Sequence, residues 1–295
     1  MTLLAILLIV LEASHVLTVF SLGLEAPLHA GTTLLREPRH LLRVLFAMGV
    51  IMPVLAVLAI GSFDLVPAVK LALIALAVSP VPPIILHRTH MERHYPLALF
   101  LTTCALAPVL APLTFGAAAL ALGKSSGVTT AHLLPHVALL IVAPLLVGWA
   151  LRRLVPSAQL AAKPLSTLAN VGLVGSILPI VVLAWPAISE LAGDGTLLSF
   201  AVFAAVGLFV GHRVGGPGLE RRSALALATA CRHPGIAVEI AHAMYPDDKL
   251  AGPAVVAYAL VSGACALPYL WWERQKKLAT GSLAGEGAGS AERAR

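Results

Sequence analysis

Nine stretches of roughly 20 mostly apolar residues divide this 295-residue chain and limit its fold more than any motif does. They run over 2–24, 42–61, 66–87, 96–122, 132–151, 165–187, 197–211, 223–244 and 251–272, the seventh extending to about 217. A hydrocarbon core about 30 Å thick takes a helix of this length. Inside it, every backbone polar group has to be satisfied by protein. The chain is 59% hydrophobic and 12% charged, against roughly 25% charged in a soluble domain. An all-α membrane protein is expected. A soluble enzyme, a disordered chain and a nucleic-acid-binding module are excluded. The first stretch lacks a basic leader region and an Ala-x-Ala-like cleavage site, so it is expected to be a helix of the mature protein rather than a signal peptide.

The net charge of +6 has a place in this scheme. With nine spans and the N-terminus outside, sixteen of the 20 Lys and Arg fall on inner loops and the C-terminal stretch. Lys70, Lys124 and Lys249 fall outside, and Arg232 lies within the eighth span. That asymmetry is the positive-inside pattern, and it fixes the C-terminus as cytoplasmic. Removing the eighth span would put the basic C-terminus outside. Trp149, Trp271 and Trp272 at inner ends and Trp185 at an outer end fit interfacial anchors. Residues 273–295, rich in Gly, Ala and Ser, read as a disordered cytoplasmic tail.

Two spans are interrupted at mid-depth. The third contains Ser79-Pro80-Val81-Pro82-Pro83 and the eighth contains Cys231-Arg232-His233-Pro234-Gly235. Proline removes an amide donor and blocks the i→i−4 bond, so three prolines within four residues must break a helix. The two breaks lie five spans apart, and an odd offset inserts them in opposite directions. Paired Pro/Gly-interrupted segments in two inverted halves point to the midplane binding site of a secondary transporter. The expected substrate-binding residues are therefore Ser79, Pro80, Pro82, Pro83, Arg232, His233, Pro234 and Gly235. Arg232 cannot shed its proton. It either binds an anionic substrate, stands in for a bound cation, or pairs with an acid such as Glu12 or Glu239.

Other polar groups carry less. Glu239 and His242 share a helix face at i, i+3, without a complete ligand set for a metal. His87, His90 and His94, with Arg88 and Arg93, read as a basic interfacial loop. Glu12 and His15 share a face of the first span and can line a cavity. Cys104, Cys231 and Cys265 lie in separate apolar runs and form no Cys-x-x-Cys pair. No metal and no cofactor is expected.

Several local patterns together resemble the bile acid:sodium symporter family, over about residues 16–272. They are Phe20-Ser21-Leu22-Gly23-Leu24-Glu25 followed by Arg36-Glu37-Pro38-Arg39, then Met52-Pro53, Ser79-Pro80, Ala107-Pro108 with Ala111-Pro112, and Ala143-Pro144-Leu145-Leu146-Val147-Gly148. The resemblance implies a single membrane domain over 1–272. Its panel helices would be 2–24, 132–151 and 165–187, and its core helices would lie in 42–122 and 197–272. The two broken helices would cross in the core, with substrate binding between panel and core. Sodium-coupled members carry an acid and amide or hydroxyl groups around the crossing. Here Ala228-Thr229-Ala230-Cys231-Arg232-His233 has no acid, and Ile84, Ile85 and Leu86 follow the first break. Hard cations need several oxygen ligands.

The expected function is secondary transport of a small organic anion across a bacterial inner membrane by alternating access. Sodium sites are expected to be lost, and proton coupling through His233 is available because imidazole titrates near neutrality. An intramembrane metal-dependent enzyme using Glu239 and His242, and a transport-incompetent scaffold or sensor, are the alternatives. Topology is the first check. A reporter fused after Lys277 should be active only in its cytoplasmic form, and one fused after Lys124 only in its external form.

Overall fold

The computed structural model describes residues 3–25, 36–82, 95, 98–100, 102–103, 113–114, 139, 142–193, 195–244 and 248–293. The expected fourth span, the first part of the fifth, Pro83, the His87–His94 loop and Cys104 fall wholly or largely outside these residues. The chain is a multi-pass helical membrane protein, and no strand occurs among the described residues. Five described segments are long and apolar enough to span a bilayer: Ile6–Glu25, Pro38–Ser62, Pro156–Leu191, Thr196–Val214 and Ala251–Ala279.

In chain order the helices are α1 (Leu3–Glu25), α2 (Pro38–Phe46), α3 (Met52–Ser62), α4 (Pro67–Val78), α5 (Ala143–Leu154), α6 (Ala162–Leu191), α7 (Thr196–Val214), α8 (Leu219–Ala230), α9 (Pro234–Met244) and α10 (Ala251–Arg293). A π-helical segment, Ala47–Ile51, joins α2 to α3. A 3₁₀ turn, Pro156–Ala161, leads into α6. The third and eighth expected spans each stop at mid-length, α4 at Val78 and α8 at Ala230. The last helix, α10, continues through 273–293, the stretch that the sequence reads as a tail. The Ala, Leu, Lys, Glu and Arg scattered through that stretch are good helix formers, which outweighs its glycines.

Small residues set the packing. In lipid there is no hydrophobic drive between helices, and close backbone approach has to supply the contact. Gly23 of α1 and Gly148 of α5 lie against each other's backbones, so that a Cβ on Gly23 would strike the Leu145 carbonyl and one on Gly148 the Phe20 carbonyl. The Ser14 side chain of α1 occupies the space that a Cβ on Gly172 of α6 would take. These contacts join α1, α5 and α6. On the other side, Gly207, Gly211 and Gly215 recur every four residues along α7 and face Ala230, Ala226 and Arg222 of α8. That stripe holds α8 close against α7. Phe200, Phe203, Leu73, Ile74, Leu76 and Tyr258 fill the buried centre between α7, α4 and α10. Leu168, Val171, Val174, Leu178, Val182 and Trp185 of α6 point outward, as a lipid-facing surface requires.

At one end of the helices, Arg221 of α8 binds both carboxylate oxygens of Glu37, at 2.5 and 3.0 Å. The guanidinium also lies 5.5 Å from the Tyr95 ring. The Tyr95 hydroxyl in turn meets His40 Nε2 at 2.6 Å. The Arg221 hydrogen bonds hold the Glu37 carboxyl below the usual carboxylate range.

The glycine stripe generates a prediction. Gly211→Val places carbons where a Cβ already lies 2.5 Å from Ala226 Cα. It should destabilise the protein by about 1–3 kcal/mol through overpacking. Gly61→Ala, at a helical glycine with open space around it, should be neutral or slightly stabilising. Thermal unfolding in detergent compares the two.

Candidate functional site

The two helix breaks meet. The first begins where α4 runs into Ser79, whose backbone is extended, with φ −69° and ψ 146°. The Ser79 amide still closes the helix, donating to the Ala75 and Leu76 carbonyls at 3.0 and 3.2 Å. Its own carbonyl has no helical partner, because the residues three and four positions on are Pro82 and Pro83. Arg232 Nη1 donates to it at 3.1 Å. The Pro80 carbonyl accepts the His233 amide at 3.0 Å. The Val81 amide reaches Thr103 Oγ1 at 3.4 Å.

The second break follows the same logic. The Ala230 carbonyl would be served by residue 234, which is proline. The Tyr258 hydroxyl donates to it instead, at 2.5 Å. Tyr258 is held edge-on by Phe200 and Phe203, with ring centroids 5.5 and 5.8 Å away. His233 then caps α9: its Nδ1 accepts the Ile236 amide at 3.1 Å and its carbonyl the Ala237 amide at 3.0 Å. A side-chain acceptor at this position stabilises a helix start by about 1 kcal/mol. That bond makes Nδ1 an acceptor, so neutral His233 carries its proton on Nε2.

A third carbonyl completes the arrangement. In the π segment the Met52 amide donates to Ala47, one residue further back than in an α-helix. The next residue, Pro53, has no amide to offer. Met48 therefore lacks both its α and its π donor, and Arg232 Nη2 lies 3.4 Å from its carbonyl oxygen. Arg232 thus bonds to carbonyls of two other segments while only 4% exposed. Among the residues whose side chains are described, no carboxylate pairs with it, and Glu12 is exposed on α1; the side chain of Glu239 lies outside them. Arg232 Nε and Ser79 Oγ are buried without partners. Both residues line a void of about 10 Å³ that Met48, Gly49 and Thr103 complete. It has room for about one water molecule, and an organic anion does not fit.

The face of the second break toward α1 differs. There the His15 ring lies 3.9 Å from that of His233, centroid to centroid, with the planes at 60°. Nε2 of each ring is buried and unpartnered. Two charged imidazoles at that separation would repel by roughly 4 kcal/mol at an effective dielectric near 20.

Of the residues expected at the site, Ser79, Pro80, Arg232 and His233 are joined directly, and Pro82 is buried just beyond. Pro234 and Gly235 form the first turn of α9, the Gly235 backbone lying against the His233 ring. Pro83 lies outside the described residues. Met48 and Tyr258 are additions. The sequence signal was Met52-Pro53, which in an α-helix would leave the Gly49 carbonyl without a donor, and the π register shifts that loss to Met48. His242 is exposed, and no three His, Cys, Asp or Glu converge as metal ligands among the described residues.

Arg232→Met removes the donors of two buried carbonyls. A hydrogen bond to a charged group contributes about 1.5–3 kcal/mol, and one of these two is long. A loss of about 3 kcal/mol of stability is expected, with partial recovery in Arg232→Lys, whose single ammonium lacks the planar fork. Chemical unfolding of the purified protein measures it. An undiminished stability would show that the guanidinium does not hold the breaks together.

A family model described as the Sodium Bile acid symporter family matches residues 15–192, a stretch that contains the first break and ends before the second. No curated protein matches the chain.

Proposed function

Because the chain belongs to the sodium bile acid symporter family, a family of membrane solute transporters, we propose that it carries a small organic anion by alternating access without using sodium at the contact between the helix breaks. The observation that carries this reading is the Arg232 guanidinium on the Ser79 and Met48 carbonyls. Carbonyl oxygens left free by broken membrane helices are the groups that coordinate a transported cation. Here a covalently attached cation takes them. A second, mobile cation beside it would meet like-charge repulsion in a medium of low dielectric, and the void there holds only one small occupant.

The same charge favours an anion as cargo, because no carboxylate among the described side chains neutralises it. On this reading the anion binds on the α1 side of the breaks, with His233 nearest, and α1, α5 and α6 form the panel against which the remaining helices move. Arg232 acts on the anion through its charge rather than by contact, because the void it lines has room for only about one water molecule. The protein would lie in the inner membrane, N-terminus outside and C-terminus in the cytoplasm, with protons available as the coupling ion.

Comparing metabolite uptake and export in cells with and without the protein identifies the cargo. Flux of that cargo into proteoliposomes should then be the same in sodium and in choline, at constant ionic strength and membrane potential. It should fall when the pH gradient is collapsed. Saturable stimulation by sodium would overturn the reading.

A further inference from the structure

Glu12 and His15 share a face of α1, the His15 ring lies against that of His233, and the transport mechanism above uses only the last of the three. Glu12 lies near the middle of α1, on the same face as His15 one turn later, and is exposed. A carboxylate at mid-span is costly in lipid and as a rule faces a watery cavity or a partner. His15 is partly covered, its Nε2 completely so, and its ring lies against that of His233. His233 is 2% exposed and stands where the two breaks bond to each other. Exposure therefore falls along the series from carboxylate to outer imidazole to inner imidazole.

We propose that these three residues form a proton path from the exposed face of α1 to the helix breaks, with His15 and His233 holding one added proton between them. The inference rests on the transport reading for its purpose and on geometry for its content. The rings are too close for both to charge. The other charged and titratable groups near His233 are Arg232 on the Ser79 and Met48 carbonyls, Tyr258 on the Ala230 carbonyl, and Cys231; the guanidinium keeps its charge there and biases the added proton toward His15. The position of the proton matters to the fold. Neutral His233 is already protonated on Nε2, so an added proton goes to Nδ1, the atom that accepts the Ile236 amide. Charging His233 breaks the cap of α9, whereas charging His15 leaves it intact. No hydrogen bond joins the rings, so transfer from His15 passes through a bridging water to His233 Nδ1 as the Ile236 bond opens; it loosens the second break, and movement of α1 away from it strands the proton on one side or the other.

The test needs no substrate. Nitrogen-15 spectra of histidine-labelled, full-length protein in lipid nanodiscs read the protonation of each ring nitrogen, and through-space contacts between the two rings assign the pair. Near neutral pH, His233 should carry its proton on Nε2. Acidification should add one proton to the pair rather than two. Exchange of the Ile236 amide should rise by about tenfold or more as His233 charges. Glu12→Gln, at an exposed position, should leave the proton count unchanged and slow exchange at His15 severalfold. His15→Gln should shift the His233 midpoint by about half a pH unit or more. Two independent charging steps, or a His233 curve unmoved by His15→Gln, would overturn the pair, and unaltered exchange in Glu12→Gln would overturn the path. Persisting anion flux alongside a failed titration would leave the transport reading standing. A titration that behaves as described in a protein with no flux would remove that reading instead.

Discussion

Carbonyl groups deprived of their donors, in a place where water cannot serve them, are the constraint on which the rest of this structure depends. Each loss traces to a proline: Pro53 for the Met48 carbonyl, Pro82 and Pro83 for Ser79, and Pro234 for Ala230. Each orphan is met from another part of the chain, twice by the Arg232 guanidinium and once by the Tyr258 hydroxyl. The His233 amide serves the Pro80 carbonyl between them. An unsatisfied group in hydrocarbon costs several kcal/mol, so these bonds are conditions for the breaks to exist, rather than additions to an otherwise stable fold. They also explain why the two breaks must touch. A donor long enough to serve two segments at once, and always charged, suits the task better than any neutral side chain.

The surrounding packing keeps those donors in range. Arg232 sits two residues beyond Ala230, and Ala230 is the last of the three α8 positions held against α7 by Gly207, Gly211 and Gly215. Tyr258 is wedged by two phenylalanines of α7. The same helix therefore positions both the backbone that ends at the break and the hydroxyl that caps it. On the opposite side, Gly23, Gly148 and Ser14 with Gly172 draw α1, α5 and α6 together. That brings His15 onto His233, although α1 contributes nothing to the carbonyl network. Among the described residues, the contact between α1 and the breaks is aromatic and shows no hydrogen bond. A contact of that kind can open without leaving backbone groups unsatisfied.

The sequence made the two breaks plain, because proline acts on backbone geometry within four residues and its effect needs no knowledge of the fold. The ends of α4 and α8 fall where Pro80 and Pro234 require. Arg232 stood out for an equally local reason, its charge inside an apolar run. What it bonds to was not legible, since acids at 12 and 239 were natural partners by charge and the carbonyls of Ser79 and Met48 carry no mark in a sequence. The π segment was readable only in hindsight: Pro53 forces some adjustment upstream, but whether a helix kinks, widens or stops there depends on what its neighbours can donate. His15 illustrates the same limit. Its place beside His233 follows from three helices packed through small residues, a property of the assembled bundle.

A cation fixed to the chain differs from a bound one in a way that bears on energetics. A sodium ion at broken-helix carbonyls arrives from one side and leaves to the other, and its electrochemical gradient enters the cycle through that exchange. Arg232 cannot leave. It can stabilise the breaks as an ion would, yet its binding and release contribute no free energy to a cycle, because it is never released. If the chain concentrates an anion, the driving force has to enter through a group that does exchange with the medium, and that group must sense which conformation is present. The carbonyl network is a poor place for it, being closed and satisfied apart from the Arg232 Nε and Ser79 Oγ in their small void. The seam between α1 and the second break meets both needs. One of its imidazoles belongs to each side of the contact, and the inner one caps the helix that begins at the break. Structure and driving force, which a bound sodium ion would serve together, are on this view divided between Arg232 and the histidine pair.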